Sequence, residues 1–266
     1  MVQNNILSGS GTADTFLQLL NEIDEQNNQY SSQRNWGCLW AVIFIALTVV
    51  LAVVLPLAVI TGLIALWKLV SAWNASAKIS STTHFPFLRD TLTVLNNDAA
   101  KKKPFKIKCD FNPVEESHKQ THCDSSFWSS VTVTTYVDPW LDMLVNLSDG
   151  NNVRICAEST HVVKAKAKRK RTKYSRKYKH KVSIKLDVDP VAFRGVMSGD
   201  QIVGTTASSL TFRSVSAEGH KIRANLVATC GAVDACSVLK ALSALYTLLI
   251  PVKKRRRVKK AAAAAG

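Results

Sequence analysis

The 266-residue sequence lacks the residue spacings that mark the common enzyme classes. It contains no glycine-rich phosphate loop, no serine–histidine–aspartate order and no metalloprotease helix. Asp187 and Asp189 lie two residues apart, but neighbouring lysines are better partners for these two carboxylates than a reacting group is. We therefore expect a protein that is not an enzyme and that needs no cofactor.

Cysteine is scarce and is not arranged in pairs. The six cysteines include no CxxC motif, and five of them follow residue 100. An odd number is a poor disulfide framework and favours a reducing compartment. Cys109, His118, His122 and Cys123 are a weak candidate zinc set, because their spacing matches no standard zinc finger. Unrelated side chains in a loop are the preferred interpretation, so we expect no metal.

Charge is absent from one long stretch, Leu39–Trp67, which has 29 residues and only two hydroxyl side chains, Thr48 and Thr61. About 20 apolar residues suffice to cross a bilayer core that is about 30 Å thick. The run also starts too late for a cleaved signal peptide. The sequence predicts a membrane segment over 37–73. One long helix, kinked at Pro56, is favoured over a hairpin of two short helices that turns near Pro56.

Charged residues flank this run unequally. Arg34 is accompanied by three acidic residues before the run, whereas Lys68 and Lys78 follow it. Because basic residues near a membrane helix favour the cytosolic side, we expect the C-terminal domain to be cytosolic or virion-internal. Glycosylation sequons oppose this orientation, and Asn146 is the acceptor that a lumenal domain would use.

Composition divides the chain into five parts. They are a polar head (1–36), the membrane segment (37–73), a connector (74–104), a basic β-rich domain ending in a helix (105–250) and a polybasic tail (251–266). Within the head, Phe16, Leu20 and Ile23 recur at helical spacing, which predicts a short amphipathic helix over about 13–27.

From residue 105 onward, apolar and polar residues alternate in short runs separated by turn residues, a pattern typical of antiparallel strands. The candidate strands are 105–111, 127–137, 141–147, 152–167, 177–188, 208–214 and 220–230. Leu239, Leu242 and Leu245 then recur at helical spacing and predict a helix near 237–250. We expect a mostly antiparallel β-sandwich or barrel-like domain with a C-terminal helix.

Acidic residues are absent from the most basic part of the chain, residues 164–185, which hold twelve lysines and arginines. Seven more lie in 253–260, so the 16 basic residues elsewhere are set against 19 acidic ones. In Lys177–Val188, lysines alternate with apolar residues, which places a lysine row on the solvent face of a strand. If this strand pairs with the one before it, like charges lie opposite each other and destabilise the sheet. That cost indicates a polyanionic partner.

The predicted residues for binding nucleic acid or anionic lipid belong to these two clusters. They are Lys164, Lys166, Lys168, Arg169, Lys170, Arg171, Lys173, Arg176, Lys177, Lys179, Lys181, Lys185, Lys253, Lys254, Arg255, Arg256, Arg257, Lys259 and Lys260. Tyr174 and Tyr178 are interleaved with the first cluster, which permits base stacking.

The order of a short head, a membrane segment and a basic β-domain resembles the matrix-type membrane proteins of enveloped RNA viruses. The resemblance concerns this layout and rests on no sequence motif. It implies a viral structural protein of the virion whose basic domain binds RNA or nucleoprotein, with anionic lipid as the alternative polyanion. We also expect homo-oligomers. An envelope glycoprotein with a lumenal ectodomain and a pore-forming membrane protein are the competing interpretations.

Overall fold

The computed structural model describes residues 2–3, 6–50, 55–77, 84–100, 103–125, 130–167, 171–228 and 233–252. The helices are α1 (Ala13–Val50), α2 (Leu55–Ala77), α3 (Phe85–Asp98) and α4 (Ala235–Tyr246). The strands are β1 (Val2–Gln3), β2 (Ile6–Gly11), β3 (Phe105–Asp110), β4 (Gln120–Ser125), β5 (Val131–Asn146), β6 (Asn152–Ala167), β7 (Thr172–Asp187), β8 (Phe193–Val196), β9 (Thr206–Ala207), β10 (Leu210–Glu218), β11 (Lys221–Ala228) and β12 (Leu249–Pro251). Short 3-10 helices cover Ser117–Lys119 and Gly199–Ile202.

Within the described part of the chain, ten strands form one antiparallel sheet in the order β1-β2-β3-β5-β6-β7-β11-β10-β9, with β4 paired to β5. β8 and β12 pair separately. The predicted antiparallel strands and C-terminal helix are confirmed, whereas the predicted sandwich or barrel is wrong. Alternation along the strands identifies one apolar face. Helices cover most of that face, and the small β8–β12 sheet also contributes to the core.

The core lies between the apolar face of the sheet and these helices. A cross-strand row of Ile107, Met143, Ile155 and Ile184 crosses four neighbouring strands, and each side chain is at most 2% exposed. The helical side of the core includes Phe16, Leu20, Leu88, Leu92, Val238 and Leu242. Burying an aliphatic or aromatic side chain of this size stabilises the fold by about 1.5–3 kcal/mol. The first turns of α1 are therefore part of the β-domain's core.

Local sequence signals set the ends of several elements. The Asp234 carboxylate caps α4 by accepting a hydrogen bond from the Ser237 backbone N–H at 2.7 Å. Pro86 lies in the first turn of α3, where its missing N–H leaves no helical bond unmade. Gly150 closes the β5–β6 turn at φ +91°, and a Cβ there would lie 2.5 Å from Asp189 Oδ2.

The apolar run Leu39–Trp67 is divided between α1 and α2, which pack antiparallel. Gly37 faces Ala72 so closely that a Cβ on Gly37 would lie 3.0 Å from the Ala72 Cβ. Nearer the turn, the Thr48 and Thr61 hydroxyls lie within hydrogen-bond distance, at 2.9 Å. The favoured single helix is wrong, and the alternative, a helical hairpin, is what the structure has. Small residues let the two backbones approach.

The N-terminal residues belong to the same sheet as the C-terminal domain. β2 is a strand that the sequence did not predict. It pairs with β3 from Ile6↔Asp110 to Gly11↔Phe105. A single span between β2 and β3 would put a bilayer between two paired strands, so this pairing excludes it. By length and composition, α1 and residues Val59–Ser76 of α2 could each cross a membrane.

Candidate nucleic-acid interface

β6 and β7 pair as the predicted hairpin, and their register places the lysine rows on one face. Residues that are direct cross-strand partners share a face of the sheet. Lys166 pairs with Lys173, Lys164 with Ser175, and Glu158 with Lys181. This face is opposite the one that the helices cover, because the intervening partners Ile155 and Ile184 lie in the core.

We call this surface the basic face. The lysines and arginines that strand register assigns to it are Lys106, Lys108, Arg154, Lys164, Lys166, Lys173, Lys177, Lys179, Lys181, Lys185, Lys221 and Arg223. Its acidic residues include Asp142, Glu158 and Asp187. Positive side chains therefore dominate it.

The structure brings together most, but not all, of the predicted hairpin residues that it describes. Seven of the twelve lie on the basic face, and Arg171 immediately precedes β7. Arg176 pairs with Val163 on the opposite face, where its Nε donates to Glu115 Oε1 at 3.3 Å, so its predicted place in the same surface is wrong. Strand alternation is the reason, since Arg176 directly precedes Lys177. Lys168, Arg169, Lys170 and the tail cluster 253–260 lie outside the described residues.

The outer half of the hairpin extends beyond β11. β11 pairs with β7 only over Lys181–Asp187, and residues 172–179 of β7 are exposed on both faces. On the other side of the hairpin, β5 pairs with β6, and β4 pairs with β5. These four strands form an arm, defined by residues 120–125, 131–138, 159–167 and 172–180, which carries lysines on the basic face.

Nearer the core, the basic face contains a groove that the sequence analysis missed. Its cavity has a volume of about 710 Å³ and is lined by residues from six strands. The cationic lining residues are Lys106, Lys108, Arg154, Lys185, Lys221 and Arg223. Four of these strands contribute them, one or two each, so no segment has a high local charge. Alternation along each strand is the sequence pattern that could have predicted these cationic residues. In Phe105–Asp110, for example, lysines alternate with Phe, Ile and Cys.

A second cavity, of about 610 Å³, continues along the same face toward the arm. It shares Lys108 and Asp142 with the first cavity and adds Lys181 and Arg213. The two cavities and the arm lysines thus form a continuous positively charged surface, and this surface is concave over its central part.

Charge repulsion within the groove is only partly relieved. Arg154, Lys185 and Arg223 are direct cross-strand neighbours on three adjacent strands, an arrangement that destabilises a sheet. Asp142 pairs with Arg154 through bonds of 2.7 and 2.5 Å. The Arg154 guanidinium thereby holds the pKa of Asp142 below its usual range. Lys185 and Arg223 have no such carboxylate among the described ion pairs, so an added anion would relieve their repulsion.

The tyrosines do not share the basic face. Tyr178 pairs with His161 on the opposite face, and the two rings stack with centroids 4.1 Å apart. Tyr174 pairs with Ala165 on that same side. A base stacked on either ring would therefore lie across the sheet from the lysine rows, and the predicted interleaving does not create a joint phosphate-and-base site.

A buried polar cluster supports the root of the arm. The Lys119 ammonium is 3% exposed and lies 2.9 Å from both Asp110 Oδ2 and Asp138 Oδ1. Nearby, His84 stacks on Trp140 with centroids 3.9 Å apart. Burial, with repulsion from His180 and Lys119, lowers the pKa of His84 to about 4. These contacts fix the strands on which the arm begins.

The four weak metal candidates are not brought together. Cys109 is fully buried in the core, whereas His118 is exposed with its Nδ1 3.2 Å from Glu116 Oε2. His122 and Cys123 are consecutive residues of β4, so their side chains point to opposite faces. Among the residues that the structure describes, no three histidine, cysteine or acidic side chains form a metal-binding group.

The conditional glycosylation residue, Asn146, ends β5. It pairs with Asn152 across the turn, and its carbonyl accepts a hydrogen bond from the Ala100 N–H at 2.9 Å. Whether it carries a glycan depends on the side of the membrane that the domain occupies, and that condition stays a prediction.

No protein-family model matches this chain, and neither a curated protein nor a solved structure matches it. The functional proposal consequently depends on the chemistry of the basic face and on the apolar hairpin.

Proposed function

We propose that the protein is a non-enzymatic membrane protein that binds RNA, free or as nucleoprotein, through the phosphates. The observation that carries this proposal is the basic face, which gathers cations from β3, β6, β7 and β11 onto one surface. Phosphate contacts release condensed counterions, so a surface of this kind binds RNA strongly at low salt.

The shape of the surface favours RNA over anionic lipid. The groove is recessed between neighbouring strands, with cavities of about 710 and 610 Å³. A nucleic acid backbone can follow this groove and contact its cations along with the arm lysines, whereas a flat bilayer surface does not match a concave one. Anionic lipid is the alternative ligand, and the experiment must distinguish its binding from RNA binding.

The proposed orientation places the basic face on the cytosolic or virion-internal side. Both ends of the helical hairpin return to the same sheet. Arg34 and Lys68 flank its base, whereas its turn between Thr48 and Thr61 contains no charge. Lysine and arginine favour the cytosolic side. This arrangement supports the matrix-type reading against the envelope glycoprotein with a lumenal ectodomain.

The test measures RNA affinity of the full-length protein in nanodiscs of neutral lipid, by fluorescence anisotropy with a labelled single-stranded RNA. A groove variant carries Lys108→Gln and Arg223→Gln, and an arm variant carries Lys177→Gln and Lys179→Gln. The control, Arg194→Gln with Lys240→Gln, removes the same charge from exposed positions outside the basic face. All three variants keep the apolar face intact.

We expect each face variant to reduce the slope of log affinity against log salt by about 1.4, since each lost phosphate contact is worth about 0.7 for a single strand. The control should keep the wild-type slope. Equal losses in all three variants would reject the basic face as the binding surface, and no binding at about 0.1 M salt would reject RNA binding. Tethering of anionic vesicles to neutral proteoliposomes in the absence of RNA binding would select the lipid alternative instead.

A further inference from the structure

We infer that α1 and α2 form a re-entrant membrane hairpin, inserted from the side of the β-domain and ending inside the bilayer without emerging on the far side. The name membrane hairpin refers here to residues 36–50 and 55–73. This inference rests on the membrane insertion proposed above and is independent of RNA binding.

Above Lys68 and Ser71, which lie near its base, the outer surface of the membrane hairpin is apolar. Val42, Val49, Val50 and Leu63 are each between 62% and 73% exposed. The seam between the helices is lined instead by small buried residues, Ala41 and Ala72 among them. In water such a surface would be a large exposed hydrophobic patch. Acyl chains are the partner that fits it, because close packing through small residues is typical of helices in lipid.

Polar side chains within the apolar run are hidden from that outer surface. The Thr48 hydroxyl donates to the Phe44 carbonyl at 2.7 Å, and its oxygen lies within hydrogen-bond distance of the Thr61 hydroxyl across the seam, at 2.9 Å. Thr61 is 9% exposed. In a bilayer every polar group must find its partner within the protein. The hydroxyl groups of Leu39–Trp67 meet this requirement.

The contacts between the helices fix which residues lie at the same depth. Because Gly37 is level with Ala72 and Thr48 with Thr61, Trp36 is level with Trp73. Both tryptophans are exposed, 59% and 79% respectively. Tryptophan is enriched at the membrane–water interface, so this level marks the near surface of the bilayer.

Measured from the tryptophan level, the two helices are too short to reach the other surface. Counted from the Trp36–Trp73 level, Val50 lies 14 residues and Leu55 lies 18 residues along their helices, about 21 and 27 Å at 1.5 Å per residue, against a hydrocarbon core of about 30 Å. Lys68, the charge nearest to the apolar run, lies toward the near surface, with its Nζ 4.9 Å above the Trp67 ring. Val50 and Leu55 therefore lie beyond the midplane but short of the far headgroups.

The sequence between the two threonines agrees with this depth. Residues 49–60 contain no polar side chain, so nothing in them would be stabilised by far-side water. Pro56 lies in the first turn of α2. Its missing N–H removes one of the unpaired donors that a helix start would otherwise leave in the hydrocarbon.

The experiment labels cysteine variants of the full-length protein in sealed liposomes with a membrane-impermeant maleimide, read at each position by peptide mass. Val50→Cys probes the end of α1, and Val59→Cys probes α2 at the same depth. Val191→Cys, at an 81% exposed position of the β-domain, reports which side the domain occupies. Resistance to alkaline carbonate extraction checks insertion separately.

We expect position 191 to be labelled from one side only, and positions 50 and 59 to be labelled from neither side until detergent is added. Labelling of 50 or 59 from the side opposite 191 would show that the hairpin crosses the bilayer and would overturn the inference. Release of the protein by carbonate would overturn the membrane insertion itself. Two probe positions keep the result interpretable if one variant fails to fold.

Discussion

His84 is held neutral by its surroundings, and this gives a pH-dependent stability at the scale of one residue. Its pKa is lowered to about 4, first by burial and then by His180 and Lys119. The unfolded chain has a histidine pKa near 6.5 and therefore binds more protons than the folded protein between those values. Stability is full above about pH 6.5 and is lost as the pH falls toward 4.

Replacing His84 with Phe should preserve ring stacking on Trp140 and remove this proton uptake. We expect the drop in unfolding free energy between pH 7 and pH 4 to shrink by at most about 3 kcal/mol, at 1.36 kcal/mol per pKa unit. Thermal melts followed by tryptophan fluorescence at several pH values measure it. His118→Phe, at an exposed residue, is the control. An acid response of the His84 variant identical to that of the wild type would contradict the assignment.

Some residues could be placed from the sequence and others could not. The alternation in Lys177–Val188 predicted which side chains of β7 face the core, because a strand's period depends only on neighbouring residues. The burial of Lys119, at the end of a 3-10 helix, was not predictable, since its partners Asp110 and Asp138 reach it from β3 and β5. A lysine in a polar segment looks solvent-exposed until the distant carboxylates are known.

At the scale of the element, Gly37 tests how closely α1 and α2 must pack. A leucine there would have its Cβ 3.0 Å from the Ala72 Cβ and 3.4 Å from the Lys68 carbonyl oxygen. We expect Gly37→Leu to destabilise the membrane hairpin by about 1–3 kcal/mol, the usual cost of overpacking. The readout is the melting temperature of the full-length protein in detergent.

Gly62→Leu is the matched control for this prediction. It gives α2 the same gain in helix propensity, but the nearest atom to its Cβ is Thr48 Cγ2 at 3.9 Å. A melting temperature that falls equally in both variants would show that the Gly37–Ala72 contact is not the cause.

Elements with strong local signals were predicted, and elements that depend on distant partners were not. The strand 152–167 follows from periodicity alone and is present as β6. The helix predicted near 237–250 is present as α4, but it ends at Tyr246, and Leu249–Pro251 form β12. β2 was missed because Ile6–Gly11, with two glycines and two serines, has no strand pattern. It becomes a strand because β3 offers it an unpaired edge.

At the scale of the whole molecule, the shared sheet predicts that both chain termini lie on one side of the membrane. We expect epitope tags at the N-terminus and the C-terminus to be digested together by protease added to sealed microsomes. Digestion of one tag with protection of the other would contradict the β2–β3 pairing. Protection of both would keep the shared side and reverse the proposed cytosolic orientation.

The sequence by itself determined the features that depend on neighbouring residues: a long apolar run, antiparallel strands with one apolar face, and a hairpin with lysines on its other face. Only the tertiary structure decided that the run folds back on itself and that helices cover the sheet. It also decided that cations from separate strands line a common groove. These three features depend on pairings between residues far apart in the chain, such as Ile6 with Asp110. Local periodicity does not predict which distant segments pair.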